Sequence, residues 1–322
     1  MKLKPLVFAL GLVSSSAFAS SFITIDPDGA GALGSISVSS LDWNLGTSIS
    51  TPTVAGVVLP DLNGIIQTYG HSALSGFNGI GTNAANSALN SNFQWTYVFA
   101  LPEFAMSMGT TATFVTQNAD ATIGTKNFFE IWYNGSVNYN QLTGENYATG
   151  TKILSGTFSA GDVGFFLATT GSAGALDQSA NGNNYDGTGG STNIASIGGI
   201  GSSAFKGSVK VTDVDSNFFK GLAAGDTIGV TLDSTNNTPF KGEDPSGCYW
   251  TGSALAGAAG QNNLGTAPAV CTNTVGTLNG SNGSNIMFQT DASTTFAVPE
   301  PTSMALVGMG LVSLLGLRRK RA

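Results

Sequence analysis

The chain has 322 residues and carries 12 Lys+Arg, 19 Asp+Glu and one histidine. Setting aside Lys2 and Lys4 at the start and Arg318, Arg319, Lys320, Arg321 and Glu300 at the end leaves six lysines, no arginine and 18 carboxylates, a balance of −12. A field of that sign repels phosphate backbones and excludes nucleic acid as a partner, and a single histidine excludes a histidine-rich metal centre.

In chain order, Lys2 and Lys4 form a basic n-region and Leu6–Val13 an apolar run. Ala17-Phe18-Ala19 then places small residues at cleavage positions. This order predicts a secretory signal peptide over residues 1–19, handled by the Sec translocon and cut before Ser20. The body, residues 20–298, is rich in Gly, Ser, Thr and Asn and is predicted to form one domain.

Short alternating apolar runs predict strands. They fall at Ile23–Asp26, Ile36–Ser40, Phe93–Phe99, Thr111–Thr116, Phe128–Tyr133, Ile153–Phe158, Val163–Ala168, Ser208–Thr212, Thr227–Asp233 and Ile286–Thr290. Phe93, Trp95, Tyr97 and Phe99 share one face, as do Ile228, Val230 and Leu232. About a dozen short strands divided by Gly/Asn turns predict an all-β fold, a single jelly-roll-like β-sandwich without an amphipathic helix. A Gly/Ser/Asn-rich loop is expected at about 171–207, and a second at Asn236–Gly283. The second holds both cysteines, Cys248 and Cys271. After export these are expected to form a disulfide, closing a loop of 24 residues.

Signals for catalysis are thin, and the body reads as non-enzymatic. His71 reads as a surface or strand-end residue, and Ser72, its neighbour on a strand, points to the opposite face. Glu130 is the best single carboxylate for a glycosidase, yet it lacks an assignable second carboxylate and reads as a solvent-facing strand residue. Asp26 and Asp28, and Asp213 and Asp215, are turn residues with a weak calcium site as the alternative. The second pair lacks the glycine and the glutamate of an EF-hand, having Phe218 and Ala224 there. No other cofactor is expected. Trp95 and Trp132 read as core, whereas Trp43 and Trp250 are the candidates for sugar stacking.

The C-terminal end has three parts in order: Val298-Pro299-Glu300-Pro301-Thr302, an apolar helix over 303–317, and the basic cluster Arg318–Arg321. The apolar run Thr302–Leu317 has 16 residues, a rise of about 24 Å where a stable span prefers about 20 residues. It suits a transient hold on the inner membrane, with the cations cytoplasmic and the body outside. Residues 299–322 resemble the PEP-CTERM sorting signal of Gram-negative bacteria. That resemblance implies recognition and removal of the tail by an exosortase, a membrane-embedded cysteine protease, and a host that makes exopolysaccharide.

Body segments carry a further resemblance. They are Phe22–Gly31, Leu41-Asp42-Trp43-Asn44-Leu45-Gly46, Asn237-Thr238-Pro239-Phe240, the Cys248 segment and Met287–Ala292. Together they resemble flocculation-associated PEP-CTERM proteins of floc-forming bacteria. This implies an extracellular matrix protein that helps retain exopolysaccharide at the outer surface or in the matrix. A monovalent lectin is the alternative, and a secreted glycan hydrolase stands behind it.

Overall fold

A computed structural model describes residues 22–53, 63–108, 111–141, 144–169, 200–234, 246, 248–253, 255–257 and 286–296. The signal peptide, the sorting tail and Cys271 lie outside these residues. Among the described residues are fifteen strands and one short helix: β1 (Ile23–Ile25), β2 (Ile36–Trp43), β3 (Gly46–Pro52), β4 (Asn63–Ile80), α1 (Asn83–Ala88), β5 (Gln94–Met108), β6 (Thr111–Thr116), β7 (Phe128–Asn134), β8 (Thr151–Phe158), β9 (Val163–Thr169), β10 (Ile200–Val214), β11 (Phe219–Lys220), β12 (Thr227–Ser234), β13 (Cys248–Trp250), β14 (Leu255–Gly257) and β15 (Ile286–Phe296).

Thirteen strands form one antiparallel sheet, and β13 and β14 form a separate hairpin. The large sheet closes on itself. From β4 the ladder runs through β5, β7, β8, β10, β12 and β15, and β2 and β3 carry it from β15 back to β4. Closure leaves few free edges for another chain to pair with. It makes β15 an interior strand, paired with β12 on one side and with β3 and then β2 on the other.

The long strands change partners along their length. The first half of β5 pairs with β7 and the second with β6, and Pro102, which has no N–H to donate, stands where the partner changes. In the same way β10 passes from β9 to β8. The panel made by the second half of β5 with β6 and β9 leaves Phe104 and Met106 of β5 and Val163 and Phe165 of β9 exposed.

The inner faces hold one aromatic core. Phe93, Trp95, Tyr97 and Phe99 all enter it, as do Ile228, Val230 and Leu232, in the expected alternation. Trp95 meets Phe77, Phe218 and Phe219 edge-on, and Phe158 bridges Phe99, Phe129 and Phe205. Gly70 is required here, since a Cβ would lie 2.4 Å from both the Phe99 ring and Ser48 Oγ.

Amide side chains finish the sheet where backbone pairing stops. Asn127 mimics a strand against Phe158, accepting its N–H at 2.8 Å and donating to its carbonyl at 2.9 Å. Gln67 does the same for Lys126 and Asn86 for Phe77. Gln94 accepts from Asn138 and Tyr139 and donates to Asn146. Each amide supplies a donor and an acceptor that buried backbone groups would otherwise lack.

The sequence-based element map needs several corrections. β3 and β4 fall where no strand was expected, and β4 runs for 18 residues. Residues 200–207 belong to β10, not to the Gly/Ser/Asn loop, because Phe205, Gly207 and Val209 alternate inward. The second loop contains the β13–β14 hairpin. Finally, α1 is a six-residue helix that sets Ala85 and Ala88 on the core.

Candidate functional site

The two faces of β4 and β5 carry different chemistry. Pairing puts His71 opposite Val98 and Ala73 opposite Thr96 on the outer face, with Glu130 of β7 next in the row beyond Val98. Two groups of residues cover this face: 139–141 and 144–148, between β7 and β8, and Ser246 with β13. Ala73, Val98 and Tyr147 form a small buried cluster there, and Phe128, Trp132, Tyr139, Ala148 and Trp250 pack on it partly exposed.

His71 is therefore neither a surface nor a strand-end residue: it sits within β4 and is fully buried. Its ring stacks on Tyr147 at 4.0 Å and lies 5.0 Å from Tyr249. Ser72 points the other way, donating to Asn44 O at 2.6 Å, as alternation requires. The histidine's partner is Ser246, which no sequence spacing signals: its Oγ lies 2.7 Å from Nε2. Ser246 donates its proton to Gln141 O and accepts from Thr47 Oγ1 at 2.9 Å. With that proton committed, Nε2–H is the donor to Ser246, and Nδ1 is the bare nitrogen, without a partner among the described residues.

The pair is wired opposite to a nucleophile and its base, where the hydroxyl would donate to the imidazole and an acid would orient the other nitrogen. Burial pushes the His71 pKa down to about 3, so the ring stays neutral. The arrangement works as a staple that fixes the Cys248 hairpin on the outer face. Gly144 completes the seam, at φ +74°, where a Cβ would meet Cys248 O at 2.0 Å. Lys126 Nζ adds a bond to Thr251 O at 2.6 Å.

Beside this cover lies an open group on β7 and β8. Lys152 Nζ approaches Glu130 Oε1 to 3.1 Å, and Trp132 Nε1 donates to Glu130 Oε2 at 3.1 Å. The ammonium also stands 5.8 Å above the Trp132 ring. Glu130 thus does not simply face solvent: its side chain is 12% exposed and doubly paired. Trp132 is not core: it pairs with Thr96 and alternates with the inward Ile131, which puts it on the outer face with Phe128 and Glu130.

The tryptophan assignments are partly reversed. Trp43 is 2% exposed, donates to Thr294 Oγ1 at 2.9 Å and meets Tyr97 edge-on, so it offers no stacking surface. Trp250 is half-buried, and its Nε1 has no acceptor among the described residues.

Asp28 and Asp215 serve as turn residues. Asp28 accepts from the N–H groups of Ala30, Gly31 and Leu33. Burial raises Asp26, reinforced by its hydrogen bond and charge repulsion with Asp28. Burial also acts to raise Asp28, but the backbone donors outweigh it and hold Asp28 low. Asp215 accepts from Asn217 N at 2.8 Å, and Asp213 stands exposed at a bulge. Among the described residues no group of three or more His, Cys, Asp or Glu is placed to hold a metal ion.

Inside the sandwich, Glu103 is buried and accepts from Thr68 Oγ1 at 2.8 Å, and Thr68 in turn bonds Ser50. Burial raises its pKa to about 7, against the weaker effect of the Thr68 bond. Thr116 stands opposite it with a hydroxyl that has no partner among the described residues.

Beyond β15, residues 297–321 match the family model of the PEP-CTERM protein-sorting motif. This is a PEP-CTERM protein. The motif implies export, processing by an exosortase, and a cell-surface or extracellular destination. No curated protein and no solved structure matches the chain. The chemistry of the body of this PEP-CTERM protein therefore rests on its own side chains.

Proposed function

We propose that this PEP-CTERM protein is a non-enzymatic component of the extracellular matrix of a Gram-negative bacterium, which associates with exopolysaccharide and promotes floc or biofilm cohesion. The sorting motif at 297–321 is the observation that carries this reading. The −12 balance between residues 20 and 298 restricts the polymer to neutral sugars, or to acidic sugars bridged by a divalent cation. Non-enzymatic action is supported by the reversed wiring of Ser246 and His71 and by the double pairing of Glu130. A disulfide between Cys248 and Cys271 belongs to the same reading, as a covalent hold on the hairpin that His71 staples. Many weak contacts, multiplied by avidity, give cohesion.

A lectin is the second reading, favoured by the aromatics Phe128, Trp132, Tyr139 and Trp250 gathered on one outer face. The test is deletion of the gene in the host, with floc formation and cell-bound and soluble polysaccharide measured together. Dispersed flocs at unchanged total polysaccharide support the matrix reading; unchanged flocs and partition remove it. Substituting Pro299, Glu300 and Pro301 should leave unprocessed protein in the membrane fraction.

A further inference from the structure

We infer that Trp132 and Trp250, with Glu130 and Lys152 at the rim, form a binding site for a neutral hexose polymer on the outer face of β5 and β7. The inference rests on the polysaccharide reading above and gives it one location. Both indoles pack on the buried Ala73, Val98 and Tyr147 and stay partly exposed, beside Phe128 and Tyr139. An aromatic surface held against a rigid sheet suits the apolar C–H face of a pyranose, since little side-chain freedom is lost on binding.

The rim supplies the polar half of such a site. Glu130 is held by two donors, one on each oxygen, and each oxygen keeps acceptor capacity for a hydroxyl. Lys152 is 38% exposed and keeps further N–H groups beyond its bond to Glu130. One carboxylate and one ammonium leave the rim without net charge, in a body that repels anionic polymers. The occupant that meets all three conditions is a neutral, hydroxyl-rich chain with an apolar ring face.

The processed protein is run in native gels carrying dextran, a neutral galactan or alginate. Retardation by a neutral polymer and not by alginate is the expected result. Trp132→Ala and Trp250→Ala should each weaken it roughly tenfold or more. Thermal melts check folding, and Lys152→Gln, on an exposed side chain, tests the rim if a tryptophan variant does not fold. Lys152→Gln should weaken binding severalfold at an unchanged melting temperature. The site is overturned if folded variants are retarded like the parent, if only alginate retards the protein, or if none of the polymers does. A host strain carrying Trp132→Ala separates the two ideas. Polymer retained by that strain but lost on gene deletion removes the site and keeps the matrix reading. Binding in the gel without any effect of deletion keeps the site and removes the matrix role.

Discussion

Replacing Glu103 by Gln should change how stability depends on pH, in a direction fixed by burial. The unfolded carboxyl titrates near 4.5 and the folded one near about 7. Below pH 4.5 both states hold the proton and Glu103 adds no pH dependence. As pH rises from there through the folded pKa, the unfolded chain releases a proton that the folded chain retains. Unfolding then becomes easier by about 1.4 kcal/mol per pH unit, reaching about 3.4 kcal/mol. Glutamine has the same shape, can accept from Thr68 and does not titrate. Urea unfolding of both proteins from pH 4 to 8 is the assay. Around pH 4 the two should differ only by a constant, and by pH 8 Glu103→Gln should have gained about 3 kcal/mol on the parent. Parallel curves, or a parent that gains on the variant as pH rises, would refute the placement of an uncompensated carboxyl in the core.

His71 should act in the opposite sense. Its folded pKa of about 3 lies below its unfolded 6.5, so stability is lost as pH falls between them. The loss is about 1.4 kcal/mol per unit, and urea titration of His71→Gln should show that slope removed. From pH 4.5 to 6.5 the His71 and Glu103 slopes cancel, and their combined contribution should be flat there. Ser246→Ala leaves Thr47, His71 and Gln141 each short of a partner. It should cost about 1–3 kcal/mol, seen as faster hydrogen exchange in residues 248–257 before the main sheet. Asn127→Ala removes both bonds to Phe158, and thermal or urea unfolding should report a loss of about 2 kcal/mol. Thiol titration of the unfolded, unreduced protein should find no free thiol. Reduction should lower stability by about 3 kcal/mol for the Cys248–Cys271 loop.

The core was legible where one face of a strand is apolar and the other polar. Residues 93–99 and 227–233 show this alternation, and their inward faces were placed correctly. β4 was not legible, because both of its faces are buried and both carry polar groups. Thr68 lies inside against Glu103, and His71 lies outside under Tyr147 and Tyr249. Alternation reports burial on one side only, so a strand covered on both sides by hydroxyls and glycine has no period to read. The outer site failed for a different reason. Trp132 and Trp95 sit on equally aromatic strands, but Trp132 pairs with Thr96, so it takes the face opposite to Trp95. The Ser246–His71 contact spans 175 positions, a separation that no local motif can carry.

The sorting tail follows directly on β15, and β15 is laced on both flanks by β12, β3 and β2. Tension on the tail, while it is held in the membrane or after it is joined to a surface, runs along that strand. Its ladder bonds lie across the pull and are loaded together in shear. A terminal strand at a sheet edge could instead peel one bond at a time. The handle is attached where the body resists extraction.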